Sequence, residues 1–130
     1  MVYNQSVKVQ SIHGWQVSVA EAKEIQQRLA TQVSKQNAIH TPRLVAGVDI
    51  SPPNRQGIAR GAVVVLWLPG LELAEVQTVE AEPGFPYVPG LLSFRESPLI
   101  LGACQRLMLS PDFILADGQG IAHPRRLGLA

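Results

Sequence analysis

The first segment with a clear period is 19–37, where apolar residues recur every three or four positions and Gln, Lys and Arg fill the other face. This spacing predicts an amphipathic helix whose apolar stripe covers one side of a sheet. Ser18 precedes the segment and Glu21 follows three residues later, which is the pattern of a capping box. The sequence therefore predicts a helix with a capped N-terminal end in this part of the chain.

Shorter apolar runs predict the strands of that sheet. The run 44–50 is almost continuously apolar, which favours a central strand buried on both faces. The Val-rich run 59–68 and the alternating run 71–80 follow after short turns, so the three are expected to pair as an antiparallel meander. The run 113–117 comes after a helical stretch, and this crossover allows it to lie parallel to the first strand. The expected fold class is α/β.

The stretch 91–108 has helical periodicity but contains a proline. Because proline is tolerated in the first turn of a helix, Ser97 and Pro98 predict a broken helix with a second start at this point. Glu96 is then expected at the break or near a helix start. The preceding segment, 83–90, holds three prolines and two glycines and predicts a stiff surface loop.

Composition narrows the class of protein. A chain of 130 residues with 46% hydrophobic and 16% charged residues is expected to form one domain with a buried core. The net charge of +1 excludes a strongly basic nucleic-acid coat but allows a local basic patch. Cys104 is alone, so no internal disulfide is expected, and its apolar neighbours favour a core position over a reactive thiol. No signal peptide or long apolar run is visible, so a soluble cytoplasmic protein is expected.

Acidic residues end two of the predicted strands. Asp49 closes the run 44–50, and Asp117 closes the run 113–117. If those strands are parallel, both carboxylates fall at the same edge of the sheet. Glu96 supplies a third carboxylate from a separate segment. Because carboxylate oxygens hold Mg²⁺ while leaving positions for water and phosphate, the three side chains indicate metal-dependent phosphodiester chemistry.

These acidic residues also have simpler interpretations. An aspartate at a strand end often only solvates the turn, and Glu96 alone suits a surface or capping position. The segment after Asp117 is more distinctive, because two glycines, His123, Arg125 and Arg126 follow at once. His123 is a candidate to position water or to donate a proton to the leaving oxygen. Either arginine is a candidate to hold phosphate.

Tyr87 is a candidate contact to nucleic acid. It is bracketed by Pro86 and Pro89, which stiffen the backbone and allow the ring to be held out at little entropic cost. A rigid exposed aromatic can wedge into a base stack and support an extruded nucleotide. The alternative is a ring folded back onto Leu91 or Leu92, and the residues alone leave both interpretations open.

Four blocks of this sequence resemble the endonuclease V family, the deoxyinosine-specific nucleases. The blocks are 47–49, 86–96, 111–112 and 117–128, in order, within a match that covers roughly 19–130. PYVPGLLSFRE and DGQGIAHPRRLG are long and specific stretches. The resemblance implies an RNase H-like fold, a mixed sheet flanked by helices.

The resemblance also implies an activity and a set of site residues. The implied reaction is Mg²⁺-dependent cleavage of a DNA strand 3′ to deoxyinosine, one phosphodiester beyond the lesion, with Mn²⁺ expected to substitute. Asp49 and Asp117 match the metal-binding aspartates, Glu96 matches the catalytic glutamate and is also expected on the metal, and His123 matches the histidine near the scissile phosphate. The residues expected to bind DNA, some of them around a pocket for the flipped base, are Tyr87, Pro86, Val88, Pro89, Gly90, Leu91, Gly118, Gly120, His123, Arg125 and Arg126.

The chain departs from this family pattern in one respect. Family members are expected to continue beyond HPRRLGLA with a further helix, a parallel strand bearing a functional lysine, and another acidic residue. The sequence is therefore interpreted as a C-terminally truncated form. The alternative function is a catalytically impaired nucleic-acid-binding or unstable fragment of such an enzyme. Inosine-containing RNA is a second expected partner, and no membrane partner is expected.

Overall fold

The computed structural model describes residues 7–130. Its helices and strands, in chain order, are α1 (Val19–Ala30), β1 (Leu44–Ile50), β2 (Ala59–Trp67), β3 (Leu73–Ala81), α2 (Leu92–Gln105) and β4 (Phe113–Ala116), followed by one 3-10 turn, Gly120–Ala122. The bounds of β1 are as predicted, and those of the other three strands differ from the predicted ones by one or two residues at their ends. Between 7 and 130, no helix is long and apolar enough to cross a membrane.

The four strands form one mixed sheet in the order β3-β2-β1-β4. β1 and β2 pair antiparallel, as do β2 and β3, and β4 pairs parallel to β1. The predicted meander and the predicted parallel strand are therefore both confirmed. β1 is an inner strand as predicted, and the shorter β4 lies at the edge. The predicted burial of β1 on both faces holds only in part, because Gly47 and Asp49 are exposed.

The first helix begins as predicted but ends earlier. The Ser18 hydroxyl accepts a hydrogen bond from the Glu21 backbone N–H at 3.1 Å, which is the expected cap. α1 then stops at Ala30 rather than near residue 37. The Thr31 hydroxyl donates to the Arg28 carbonyl oxygen at 2.7 Å and so satisfies a carbonyl that lacks a helical partner. Val33 is 40% exposed, so no buried contact stabilises another turn.

The second helix is continuous, and the predicted break at Pro98 is wrong. Pro98 lies inside α2, where its missing N–H removes one backbone hydrogen bond to the Phe94 carbonyl. The following residues Leu99 and Ile100 are both buried. Packing of this buried face holds the helix together across the proline.

The main core lies between α2 and one face of the sheet. Its buried members are Leu44, Ala46, Val48, Val63, Val65, Ile100, Ala103, Cys104 and Leu107. Cys104 is only 2% exposed, and burial raises the pKa of its thiol. Its predicted place in the core is therefore confirmed.

α1 packs against the proline-rich loop rather than against the sheet, so its predicted role is wrong. Ala22 joins a second buried cluster with Phe85, Leu91 and Phe94. His13 is half-buried beside this cluster, with its ring centroid 5.6 Å from that of Phe94. This second cluster fixes the loop 83–91 over the start of α2.

Two carboxylates fix the place where β4 begins. The Asp112 side chain accepts hydrogen bonds from the backbone N–H groups of residues 43 and 44 at 2.7 and 2.9 Å. Glu75 accepts from the N–H groups of residues 108 and 109 at 2.9–3.1 Å. Burial alone would raise the pKa of Glu75, but these bonds and one from Gln77 outweigh it and lower the pKa. The connection from α2 to β4 is therefore held at both ends.

The opposite face of the sheet carries an exposed apolar row. Val76, Val64, Gly47 and Leu115 are register partners across all four strands. Val76 is 47% exposed, Val64 is 37% exposed and Leu115 is 61% exposed. This row alternates with the buried residues of the same strands, as the period of a strand requires.

Gly61 and Gly47 provide a matched test of the packing between α2 and the sheet. A Cβ at Gly61 would lie 2.7 Å from the Leu99 carbonyl oxygen, whereas one at Gly47 would meet nothing within 4 Å. Gly61→Ala is expected to lower the free energy of unfolding by about 1–3 kcal/mol, the usual cost of overpacking. Gly47→Ala is expected to be neutral or to stabilise by roughly 0.5 kcal/mol. Urea denaturation followed by circular dichroism measures both, and equal midpoints would contradict this packing.

Candidate active site

The parallel pairing of β1 and β4 brings two acidic residues side by side. Val48 pairs with Ala116. Asp49, the next residue of β1, and Asp117, the residue directly after β4, therefore lie at the same end of the sheet. Neighbouring strands are about 4.8 Å apart and side chains at equivalent positions point to the same face. Both aspartates are exposed, and one Asp49 carboxylate oxygen accepts the Ile50 N–H at 2.8 Å.

Glu96 approaches the same end of the sheet from the first half of α2. Its Oε2 atom is buried without a hydrogen-bond partner among residues 7–130. Burial raises the pKa of Glu96, and the negative charges of Asp49 and Asp117 raise it further, while Arg95 opposes them. Glu96 is thus close enough to both predicted aspartates to experience their negative charges.

The distance between these acids is still larger than a complete metal site requires. In the described part of the chain, no three His, Cys, Asp or Glu side chains form a group that could hold a metal ion as they stand. This spacing is compatible with the effect of both aspartates on the pKa of Glu96, because charges interact over many ångströms. Ligand oxygens, in contrast, must lie about 2.0–2.1 Å from a bound Mg²⁺. An oxygen-only donor set with an unpartnered buried atom fits the chemistry of a hard divalent cation.

His123 is engaged within the protein, which corrects its predicted direct role. Its ring is only 4% exposed. Nδ1 accepts the Arg125 backbone N–H at 2.9 Å, and Nε2 lies 2.8 Å from the Gly90 carbonyl oxygen. Because Nδ1 accepts, the ring proton is on Nε2 and is donated to Gly90. Neither nitrogen is free to act on water or on a leaving oxygen, so His123 instead holds the loop at Gly90.

The two arginines differ in whether their side chains are already engaged within the protein. The Arg125 guanidinium donates to the Gln26 side-chain oxygen at 2.6 Å and to the Gly90 carbonyl oxygen at 3.1 Å. Arg126 is exposed, and its side chain makes only a 3.5 Å contact with the Ile121 carbonyl oxygen. Arg126 is therefore the arginine of this pair that is available to a phosphate.

Tyr87 is displayed by the proline-rich loop. The ring is 71% exposed, whereas Phe85, two residues earlier, is 4% exposed and packs in the second cluster. Arg95 donates to the Phe85 carbonyl oxygen at 2.8 Å and anchors the loop from α2. The alternative of a ring folded back onto Leu91 or Leu92 does not hold.

A cavity of about 300 Å³ lies between this loop and the segment after Asp117. Its lining includes two of the predicted pocket residues, Gly90 and Gly118. Leu91 is instead fully buried beneath the loop, and Gly120 is covered by Ala130, whose oxygen would lie 3.2 Å from a Cβ there. Residues at the cavity that the sequence did not single out are Leu92, Ser93, Gln119, Gly128 and Leu129.

Gln26 is the site residue that sequence reasoning missed. It is fully buried in α1, and its amide nitrogen donates to the carbonyl oxygens of Gly90 and Leu127 at 2.9 and 3.1 Å. The available signal was its position four residues after Ala22 and three before Leu29, on the apolar stripe of the helix. A polar residue on such a stripe indicates a buried hydrogen-bonding role.

A mixed sheet with acidic residues at the shared end of two parallel strands defines an RNase H-like fold. A family model described as Endonuclease V matches residues 27–130, and the chain therefore belongs to the Endonuclease V family.

Individual relatives agree with this assignment. The chain is 48% identical over 125 residues to Endonuclease V of Dehalococcoides mccartyi, covering 96% of this chain and 56% of the relative. The crystal structure of Endonuclease V from Streptomyces avermitilis matches with a TM-score of 0.82 and 39% identity over 89% of this chain and 52% of that one. Endonuclease V of Ciona intestinalis, in complex with a 24mer DNA containing an inosine followed by a ribo-adenosine, matches with a TM-score of 0.74 and 26% identity over 85% of this chain and 50% of that one. The chain spans about half the length of the curated relatives it matches.

Glu96→Gln is expected to raise the melting temperature of the metal-free protein at neutral pH, because it removes a half-buried charge that two neighbouring carboxylates repel. A carboxyl whose pKa is raised in the folded state destabilises the fold fully above that pKa, and this cost disappears as the pH falls below the unfolded value. The difference in melting temperature between Glu96→Gln and wild type is therefore expected to become smaller as the pH falls. Thermal melts with EDTA from about pH 4 to about pH 8 measure it. A difference in melting temperature that grows as the pH falls would contradict the raised pKa of Glu96. The control is Glu82→Gln, at an exposed position.

Proposed function

We propose that this protein provides the site of a Mg²⁺-dependent endodeoxyribonuclease of DNA repair that cleaves a strand 3′ to deoxyinosine, one phosphodiester beyond the lesion. The observation that carries this proposal is the parallel register that brings Asp49 and Asp117 to the same end of the sheet. Near them, the Oε2 atom of Glu96 is buried without a hydrogen-bond partner among residues 7–130, and both aspartate charges act on this carboxyl. Family membership and the inosine-containing DNA bound to the Ciona relative support the choice of substrate. The free thiol at Cys104 is consistent with work in the reducing cytoplasm.

The three carboxylates are the residues proposed to hold the cation. Burial raises the pKa of Glu96, and the negative charges of Asp49 and Asp117 raise it further. A positive charge held between the three side chains would offset both effects. A bound Mg²⁺, or Mn²⁺ in its place, supplies positive charge for the scissile phosphate and acidifies a coordinated water. Asp49 and Asp117 are fixed by their strands, so they orient this charge, while Glu96 lies on α2 beside them. His123 supports the reaction from a distance by holding the loop at Gly90.

The DNA is proposed to bind across the proline-rich loop. Tyr87 offers an exposed ring for stacking, and the neighbouring cavity lies between that loop and the segment after Asp117. An extruded base would stack on the ring and enter this cavity. Arg126 is free to contact the backbone phosphates. Single-stranded inosine-containing RNA presents the same base and is the competing substrate.

A second candidate function is nucleic-acid binding without cleavage. It is favoured by one observation, namely that no three His, Cys, Asp or Glu side chains within residues 7–130 form a group that could hold a metal ion as they stand. Tyr87, the cavity and Arg126 all lie in the chain as it stands, so lesion binding needs only these residues. Such binding would weaken as salt is raised, because phosphate contacts release counterions.

The first test is cleavage of an end-labelled duplex containing a single deoxyinosine, with Mg²⁺ or Mn²⁺. Wild type is expected to nick one phosphodiester beyond the lesion, and Asp49→Ala and Asp117→Ala are each expected to lose at least about 100-fold in rate, because metal charge stabilisation is worth several kcal/mol. Glu82→Ala, which removes an exposed acid elsewhere, is expected to cut normally.

Two results would change the assignment. Full activity in either aspartate variant would show that the substituted aspartate is not needed to hold the metal. Lesion-specific binding by wild type without product at any metal concentration would favour the binding function. A melting temperature that rises on adding Mg²⁺ in wild type but not in Asp117→Ala reports the metal site without relying on activity.

Tyr87→Ala tests the stacking contact. Because the ring is exposed, its removal is expected to leave the melting temperature unchanged. Affinity for the deoxyinosine duplex is expected to fall by about 5-fold to 150-fold, which corresponds to roughly 1–3 kcal/mol for one stacked base. Tyr87→Phe keeps the ring and should bind as wild type does. Fluorescence anisotropy with a labelled duplex measures the three affinities, and equal binding by Tyr87→Ala would exclude the wedge.

A further inference from the structure

The carbonyl oxygen of Gly90 is held by three donors at once. It accepts from the Gln26 side-chain amide at 2.9 Å, from His123 Nε2 at 2.8 Å and from the Arg125 guanidinium at 3.1 Å. A carbonyl oxygen has two lone pairs, so its bonding capacity is fully used. Such an arrangement fixes one peptide group of the cavity wall more firmly than ordinary loop packing does.

Gln26 is the residue that ties this arrangement together. It is fully buried, and both ends of its amide are in use. The nitrogen donates to Gly90 and to Leu127 at 2.9 and 3.1 Å, and the oxygen accepts from Arg125 at 2.6 Å. One side chain of α1 therefore joins the proline-rich loop to the segment after Asp117, the two walls of the cavity.

The backbone at Gly90 is adapted to this contact. Its φ is +83°, and a Cβ there would lie 2.9 Å from the Arg125 guanidinium and 3.5 Å from His123 Nε2. Only glycine accommodates both the left-handed conformation and the close approach of the donors. The loop and its three donors thus fit one another as a unit.

Fixing Gly90 determines where the first turn of α2 begins. The peptide unit is planar, so an immobile Gly90 carbonyl also fixes the Leu91 N–H, which donates to the Val88 carbonyl oxygen at 2.9 Å. The Leu91 carbonyl oxygen in turn accepts from the Phe94 N–H at 3.1 Å in the first turn of α2. Leu92 and Ser93 come next in the chain and line the cavity. As first-turn residues of α2, they have backbone N–H groups without partners inside the helix. Leu92 and Ser93 thus bring N–H donors to the part of the cavity wall that directly follows Gly90 and Leu91.

We propose that Gln26 is a positioning residue for lesion recognition, which sets the loop 87–93 and its backbone donors in the geometry that distinguishes hypoxanthine from adenine. The inference rests on the proposed function of the cavity. Hypoxanthine carries a carbonyl oxygen where adenine carries an amino group, so correctly placed N–H donors favour the deaminated base. Donors that move by a fraction of an ångström lose this preference before they lose general affinity for DNA.

The experiment compares Gln26→Glu and Gln26→Met with the control Gln27→Met, whose position is exposed on the same helix. Glutamate keeps an acceptor for Arg125 but loses the donor to Gly90, and methionine loses both. The measurements are affinities for matched duplexes containing deoxyinosine or deoxyadenosine, amide shifts of residues 90–93 and ring ¹⁵N shifts of His123 by NMR, and thermal melts.

Wild type and Gln27→Met are expected to prefer the deoxyinosine duplex equally. Gln26→Glu and Gln26→Met are expected to reduce that preference about tenfold or more while binding the deoxyadenosine duplex as before, since one lost recognition contact is worth roughly that factor. The amide shifts of residues 90–93 are expected to move in both variants. Gln26→Glu keeps the Arg125 contact and is the variant expected to melt nearest to wild type.

The proposal would be overturned if Gln26→Glu folds and keeps the wild-type preference for the deoxyinosine duplex, with the amide shifts of residues 90–93 unchanged. Equal losses of affinity for both duplexes would also overturn it, because they indicate a merely structural residue. If wild type shows no preference for deoxyinosine, the proposed substrate fails. The NMR shifts then decide separately whether Gln26 positions the loop.

Discussion

The pairing of β1 with β4 is the constraint on which the rest of the site depends. These strands come from distant parts of the chain, and Asp112 and Glu75 fix the point where β4 begins. A slip of one residue in their register would turn every side chain of β4 to the opposite face. Asp117 would then leave Asp49, and the Glu96 carboxylate on α2 would lose one of the two charges that it faces. The electrostatics of the site is therefore a consequence of backbone hydrogen bonding.

A second network, separate from the acids, shapes the wall where a base is proposed to enter. Phe85 is buried, Tyr87 projects and Gly90 is held from three sides. The loop can be rigid because its prolines restrict the backbone and its glycine admits the donors. Chemistry at the strand ends and recognition at the loop thus rest on different interactions, which meet in the segment after Asp117.

The sequence predicted the parts of the molecule that local pattern controls. The four strands follow from apolar runs, and their order follows from short turns and one helical crossover. The end of α1 and the continuity of α2 were not predictable in this way, because they depend on whether Val33 and Ile100 find a buried surface. The acids stand out in sequence since each follows a strand. The internal role of His123 and the whole role of Gln26 arise from contacts across 33 to 101 residues, which no local pattern records.

The water-facing row of Val76, Val64 and Leu115 also affects how the molecule behaves in solution. Side chains of three adjacent strands, β3, β2 and β4, present hydrocarbon to solvent on this face, and no strand within residues 7–130 pairs with the outer edge of β4. Salts such as sulfate, which are excluded from protein surfaces, raise the free energy of exposing this row to water. They therefore favour association between copies of the protein. This row is therefore expected to promote self-association as the concentrations of protein and of such salts rise.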